Sequence, residues 1–265
     1  MSNIPPILLI GCGHMGKAML KGWIQKGLSP SFIVHRHEIE LPAPHKRVNS
    51  VHDIPQDFKP AAIILATKPH QAQEIIPDLA PWSKNAVNIS VLGGRNLTWL
   101  EQQFGSDTAI VRAMPNTPSE LGLGMTSAIG NPIVNSHQKE LTDALLRAIG
   151  EVAWLQSEQD MDVATAIAGS GPAYIFLLAE LLQKVGEEKG LSKELAKLLA
   201  RQTVVGSAAL LSRSKEESED LRKAVATPNG ITERAVNVLI DRKAWPDALS
   251  KAIQAAADRS KEMAS

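Results

Sequence analysis

Short apolar runs recur through the first half of the chain, at residues 7–10 (ILLI), 32–34 (FIV), 61–66 (AAIILA), 86–90 (AVNIS) and 108–113 (TAIVRA). Between them lie amphipathic stretches such as HMGKAMLKGWIQKG, HQAQEIIPDLA and LTWLEQQFG. Near-continuous apolar strands separated by helices predict a parallel sheet covered on both faces. Two further strands, near 125–129 and 152–155, extend it. The Pro- and His-rich piece HEIELPAPHKRVNSVHDIP shows neither period, and a shortened, irregular connection is expected there. After about residue 155 the strand signals stop. Helical patterns cover 172–188, 192–211, 218–226, 230–240 and 246–263. The first of these, GPAYIFLLAELLQKVGEEKG, begins apolar almost all round, which places it inside a large core or between subunits. The charged KEESED stretch reads as a solvated helix start. The expected division is a dinucleotide-binding domain at 1–155 and a helical domain at 156–265.

Composition narrows the function classes. Lys plus Arg equals Asp plus Glu at 28 each, so no overall field points to nucleic acid or to an anionic membrane surface. The single cysteine, Cys12, excludes an internal disulfide framework and suits a reducing compartment. The opening MSNIPPILLIGCG lacks a basic n-region, and its apolar run ends after four residues at Gly11, so neither a signal peptide nor a membrane span is expected. A cytoplasmic protein is the resulting expectation.

The chemistry starts at LLIGCGHMGKAM. Gly11, Gly13 and Gly16 follow a buried strand and open a helix, with His14 and Met15 at its first positions. The first glycine permits a tight turn, the second lets the backbone approach a pyrophosphate, and the third lets helix and strand pack closely. The helix start adds free N–H groups and the positive end of the dipole. At the end of the second strand, where an NAD site usually carries Asp or Glu, stand His35 and Arg36. A guanidinium there pairs with a 2′-phosphate and favours NADPH, while nearby Glu38 keeps NADH open. Ala66, Thr67, Lys68 and Pro69 end the third clear strand at the edge where such sheets bind ligands. Asn116 and Thr117, in the proline-stiffened RAMPNTP loop, are candidates for the nicotinamide side; a structural turn fits them as well. His35, His37, His45 and His52 lack ligand spacing on a helix face, so no metal is expected.

In the helical half, GSGPAYIF gives a second helix start with Pro172 at its first position. Tyr174, the only tyrosine, is a packing residue more often than an acid at such a position. The break ATPNGIT, residues 226–232, is more informative. With Gly230 as N-cap, backbone N–H groups from Asn229 to Thr232 form an anion nest suited to a carboxylate, and Thr227 and Thr232 supply hydroxyls beside it. Such a turn suits a small amino or imino acid, held by its carboxylate with one hydroxyl aimed at its nitrogen; plain helix punctuation explains the same residues.

VATPNGITERAV resembles the signature of the pyrroline-5-carboxylate reductases, usually V-T-S-P-G-G-T-T. IGCGHMGKAM, ILATKPHQ, RAMPNTP, GSGPAYIF and the closing AIQAAADRSKEM fall in that family's order. The resemblance implies an α/β Rossmann-type parallel-sheet domain followed by an all-α helical dimerisation domain. It implies NADPH- or NADH-dependent reduction of 1-pyrroline-5-carboxylate to L-proline in a homodimer or an assembly of dimers. Thr232 is then the residue expected at the ring nitrogen, and the backbone around Gly230 and Ile231 the carboxylate anchor. Asn229 and Ile231 depart from the usual small residues, and SVLGG stands where S-I-A-A-G is usual. Asp53 replaces an asparagine expected at the ribose. Two other readings share parts of the pattern. A β-hydroxyacid dehydrogenase would want a catalytic lysine earlier on its helix than Lys184, and a non-catalytic NADP(H) sensor would not need the hydroxyl-lined break.

Overall fold

The computed structural model describes residues 4–264. Eight strands, β1 (Ile7–Ile10), β2 (Phe32–Val34), β3 (Lys46–Val48), β4 (Ala62–Leu65), β5 (Val87–Ser90), β6 (Ile110–Met114), β7 (Gly124–Gly130) and β8 (Gly150–Trp154), form one sheet in the order β3-β2-β1-β4-β5-β6-β7-β8. Every neighbouring pair is parallel except β6 with β7. Alternation along the strands divides the core in two. Ile7 and Leu9 of β1, Ala62 and Ile64 of β4, and Val87 and Ile89 of β5 face one apolar cluster with Met19, Leu20 and Trp23 of α1 (His14–Gln25) and Leu145 and Leu146 of α5 (Ser136–Arg147). Leu8, Ile10, Ile63 and Leu65 face the other. That side is covered by Ala72 of α2 (Pro69–Ile75), the 3₁₀ turn Ile76–Leu79, Trp82 of α3 (Ala80–Ser83) and Leu100 of α4 (Leu97–Phe104). Each fully buried aliphatic side chain contributes about 1.5–3 kcal/mol, so strands apolar at every position are stable only with both faces covered. This is a Rossmann-type α/β domain, as the apolar runs predicted.

Two elements differ from the sequence expectation. β3 lies inside the stretch expected to be irregular; it pairs with β2 in the register Phe32↔Lys46 and Val34↔Val48. Its polar, half-exposed residues mark an edge strand, which hydrophobic patterning does not reveal. The helix α5 lies where the sequence analysis places no element. Its start carries a capping box, with Asn135 Oδ1 accepting from the Gln138 N–H at 2.9 Å and Gln138 Oε1 from the Asn135 N–H at 3.1 Å.

Buried polar groups tie the sheet's far side. Arg112 on β6, only 2% exposed, donates from Nη1 to Glu158 Oε1 at 2.9 Å, and the same oxygen accepts the Leu97 N–H at 2.7 Å. Asn131 fastens the β6–β7 edge by accepting the Ile110 N–H and donating to the Thr108 carbonyl.

The chain divides into two compact units, the first running to Ser170 and resuming at Ala256, the second spanning Gly171–Ala255. The first also holds α6 (Asp160–Ala164) and a π-turn, Thr165–Gly169. In the second, α7 (Gly171–Glu188) and α8 (Lys193–Arg213) pack as a hairpin across the Gly190 turn, with Gly186 close against Ala196. α9 (Ser218–Val225), α10 (Ile231–Leu239) and the start of α11 (Trp245–Ala264) follow. α7 has no buried residue in the single chain; Phe176 is 67% exposed, and Ile175, Leu177, Leu181 and Val185 are bare beside it.

Candidate active site: a dinucleotide cradle and a threonine-lined turn

β1 ends in the glycine loop, where Gly11 and Gly16 are sterically required by the protein itself and Gly13 is not. Gly11 sits at φ 89°, and a Cβ on it would lie 2.6 Å from the Ala66 carbonyl oxygen; only glycine fits. A Cβ on Gly16 would come 2.6 Å from the Gly11 carbonyl oxygen, so its role is close packing of α1 on the loop. A Cβ on Gly13 would meet nothing within 4 Å. Gly13 is the N-cap of α1, without a side-chain cap, and the first helical hydrogen bond runs from the Lys17 N–H to its carbonyl. The N–H groups of His14, Met15 and Gly16 therefore have no acceptor within the helix.

A cleft of about 650 Å³ lies over this loop. Gly11, Gly13, His14, Met15, His35, Arg36, Ala66, Thr67 and Lys68 line it, which brings together most of the cofactor residues expected from the sequence. Open space above Gly13, unpaired N–H groups and a basic rim suit a pyrophosphate and a further phosphate. His35 accepts the Cys12 N–H on Nδ1 at 3.3 Å. Burial, then the neighbouring His37, Lys17 and Arg47 charges, hold its pKa below the ordinary histidine value, so the neutral ring that this hydrogen bond needs is favoured.

Three expected residues stand back from the cleft. Gly16 packs beneath it, and Pro69 opens α2 at its first turn. Asn116 is 9% exposed with both ends of its amide engaged, Nδ2 on the Ala168 carbonyl at 2.9 Å and Oδ1 on the Met125 N–H at 2.9 Å; it braces the loop after β6. The sequence reading missed Cys12, His37, Asn49 and Gln71, which also line the cleft. Asn49 matters most. Asp53, at the expected asparagine position, is turned into a capping box with Ser50, while Asn49 four residues earlier reaches the cleft. Its place just past the unrecognised β3 hid it.

In the second unit, Asn229 adopts φ 61°, the only positive φ at a non-glycine residue among those described, in the left-handed region that asparagine tolerates. Gly230 is the N-cap of α10, its N–H on the Thr227 carbonyl at 3.0 Å; a Cβ there would lie 2.9 Å from both Thr227 Oγ1 and that carbonyl oxygen. The Asn229 N–H donates to Glu233 Oε2 at 2.7 Å. Two of the N–H groups expected in the nest are thus engaged internally, leaving those of Ile231 and Thr232 at the helix start. Ile231 is 91% exposed, and Thr232 follows it inside the first turn.

A family model described as "NADP oxidoreductase coenzyme F420-dependent" matches residues 6–94, and one described as "Pyrroline-5-carboxylate reductase dimerisation" matches 158–263. Sheet, cradle and cleft define a nicotinamide-dinucleotide oxidoreductase of the Rossmann class. Pyrroline-5-carboxylate reductase 2 of Bacillus subtilis is 34% identical, covering 96% of this chain and 93% of its own length, and the Pseudomonas aeruginosa enzyme is 32% identical over 99% and 98%. Solved structures of a pyrroline-5-carboxylate reductase from Coxiella burnetii (33% identity, TM-score 0.90, 98% of both chains) and of the Plasmodium falciparum enzyme with NADP bound (31%, 0.81, 98% of this chain and 99% of that one) share the fold. The chain belongs to the pyrroline-5-carboxylate reductase family.

Proposed function

We propose that the chain performs its family's reaction, the NAD(P)H-dependent reduction of 1-pyrroline-5-carboxylate to L-proline that completes proline biosynthesis, using the cradle at Gly11–Gly16 and the turn at Thr227–Thr232. It is a C=N-reducing oxidoreductase acting on a cyclic imine. The bound dinucleotide supplies the hydride. Gly13 leaves room for its pyrophosphate, the N–H groups of His14 to Gly16 bind it, and Arg36 takes the 2′-phosphate. Ala66, Thr67 and Lys68 border the same cleft.

The observation that carries the substrate side is the turn itself: a left-handed Asn229, a glycine N-cap that no Cβ-bearing residue can replace without displacing Thr227, and two open N–H groups beside the Thr232 hydroxyl. The N–H groups of Ile231 and Thr232 anchor the carboxylate, with Thr227, Asn229 and Gly230 shaping the loop. The Thr232 hydroxyl donates to the ring nitrogen or relays a proton to it. A protonated imine accepts hydride far more readily than a neutral one, and a hydroxyl does not titrate near neutrality, so Thr232 orients and relays rather than acting as an acid. The exposed α7 face, within a helical run from Asp160 to Glu188 that contains an 18-residue window of mean hydropathy 1.4, enough by composition for a membrane, is assigned to a partner copy because the dimerisation model spans it. A cytoplasmic location, which suits the free thiol of Cys12, and assemblies of dimers belong to the same proposal.

NADPH oxidation with pyrroline-5-carboxylate, followed by nicotinamide absorbance, tests the reading. Thr232→Ala, which loses one hydrogen bond to a charged ring nitrogen, is expected to lower kcat about 10- to 100-fold and to weaken proline-analogue binding while leaving NADPH affinity intact. Unchanged turnover would remove Thr232 from the mechanism.

A further inference from the structure

A second arginine, Arg47, does not line the cleft but is hydrogen-bonded to two residues that do, His35 and Asn49. Arg47 lies on β3, its side chain 18% exposed, with three acceptors on one guanidinium. Nη1 donates to the His35 carbonyl at 2.9 Å and to Asn49 Oδ1 at 2.6 Å, and Nη2 donates to Glu38 Oε1 at 2.5 Å. His35 and Asn49 border the cleft. Glu38 is absent from its lining, although it lies only two residues beyond Arg36.

We propose that Arg47 is a specificity-determining positioning residue that sets the preference for NADPH by withdrawing the Glu38 carboxylate and fixing the Asn49 amide. The proposal rests on reading this end of the cleft as the site of the adenosine phosphate. A carboxylate after the second strand is the group that accepts from ribose hydroxyls in NAD sites, and beside a 2′-phosphate it is a like charge. Released from Arg47, Glu38 would compete with the phosphate for the Arg36 guanidinium and would repel the phosphate directly. Toward NADH the same carboxylate is a useful acceptor. Only the amide oxygen of Asn49 can accept from a guanidinium, so this bond leaves Nδ2, a donor, for the cleft. A donor complements a phosphate or a ribose oxygen. One fork therefore removes a negative acceptor and presents a neutral donor, and the two effects favour the same cofactor.

Four proteins test this: the full chain, Arg47→Met, Glu38→Gln and the double variant, each titrated with NADPH and with NADH by nucleotide fluorescence. Arg47→Met is expected to weaken NADPH binding about tenfold and to leave NADH within about twofold or tighter. Adding Glu38→Gln should return most of the NADPH loss, while Glu38→Gln alone stays within about twofold of the parent. Equal weakening of both cofactors, or a loss that Glu38→Gln does not repair, would make Arg47 a structural strand residue and overturn the proposal. If Arg47→Met does not fold, Arg47→Lys keeps the charge but cannot hold three acceptors in one plane. It should then lower the NADPH-to-NADH affinity ratio about threefold, and an unchanged ratio would overturn the proposal equally. Arg36→Ala separates the premises. A ratio insensitive to Arg36 means that the phosphate lies elsewhere, whereas sensitivity to Arg36 without dependence on Glu38 leaves the site intact and refutes the role of Arg47.

Discussion

Replacing Gly13 by alanine separates what the glycine loop does for folding from what it does for the cofactor. The backbone there, at φ −72° and ψ −161°, is open to any residue, and the added methyl would meet no heavy atom within 4 Å. Folding should register little. Alanine is a poorer N-cap than glycine by less than about 1 kcal/mol, and the stiffer unfolded chain returns about 0.4–1 kcal/mol. The net change is expected within about 1 kcal/mol. The cofactor meets a different situation, because the methyl fills the space above the helix start that the pyrophosphate must enter. Loss of one or two charge-assisted bonds to the N–H groups of His14–Gly16 costs about 2–4 kcal/mol, or roughly 30- to 900-fold in Kd. Urea unfolding measures the first quantity and NADPH fluorescence titration the second. Gly16→Ala is the control: with a Cβ 2.6 Å from the Gly11 carbonyl oxygen, it should destabilise by about 1–3 kcal/mol before any ligand is added. If Gly13→Ala bound NADPH within twofold of the parent, the pyrophosphate would not lie over Gly13.

Other outcomes follow from features away from the loop. Glu158→Ala strands the buried Arg112 guanidinium and should cost about 3–5 kcal/mol in chemical unfolding, with part of the loss recovered by adding Arg112→Met; equal stability in the single variant would show that the pair is solvated. His35, held below its ordinary value of 6.5, should titrate by NMR at a midpoint under that value. Since the unfolded state then binds the proton more tightly, stability contributed by His35 rises with pH across that window and is lost as pH falls through it. NADPH phosphates nearby should move the midpoint up, and no movement would place them elsewhere. Phe176→Glu, on the bare face of α7, should convert the dimer to monomer in size-exclusion chromatography; an unshifted elution would exclude that face from the interface.

What the sequence disclosed depended on how local the determining physics was. β1, β4 and β5 were legible because both their faces are apolar, and the glycine loop because a strand, a turn and a helix coincide within ten residues. β3 was not, since Lys46 and Arg47 owe their extended form to hydrogen bonds with β2, and an edge strand needs no hydrophobic period. With β3 unseen, Asn49 was out of view and Asp53 drew attention that belongs to a capping box. α5 carried two local signals, the cap at Asn135 and Gln138 and the apolar positions Leu141, Leu145 and Leu146, but the polar SHQKE start separates the cap from that face. The turn before α10 was anticipated as a row of four free N–H groups. Glu233, one helical turn away, takes one of them, and a contact that depends on a side-chain rotamer is not written in residue order.

The unclothed α7 has a consequence for anyone handling the protein at low concentration. A helix this apolar, packed along α8 yet with no residue buried in the single chain, makes the folded state a reservoir fed by association, so unfolding midpoints should climb with protein concentration. Specific activity should decay on extended dilution, and an assay begun from a dilute stock would report the equilibrium between one chain and two before it reported any chemistry.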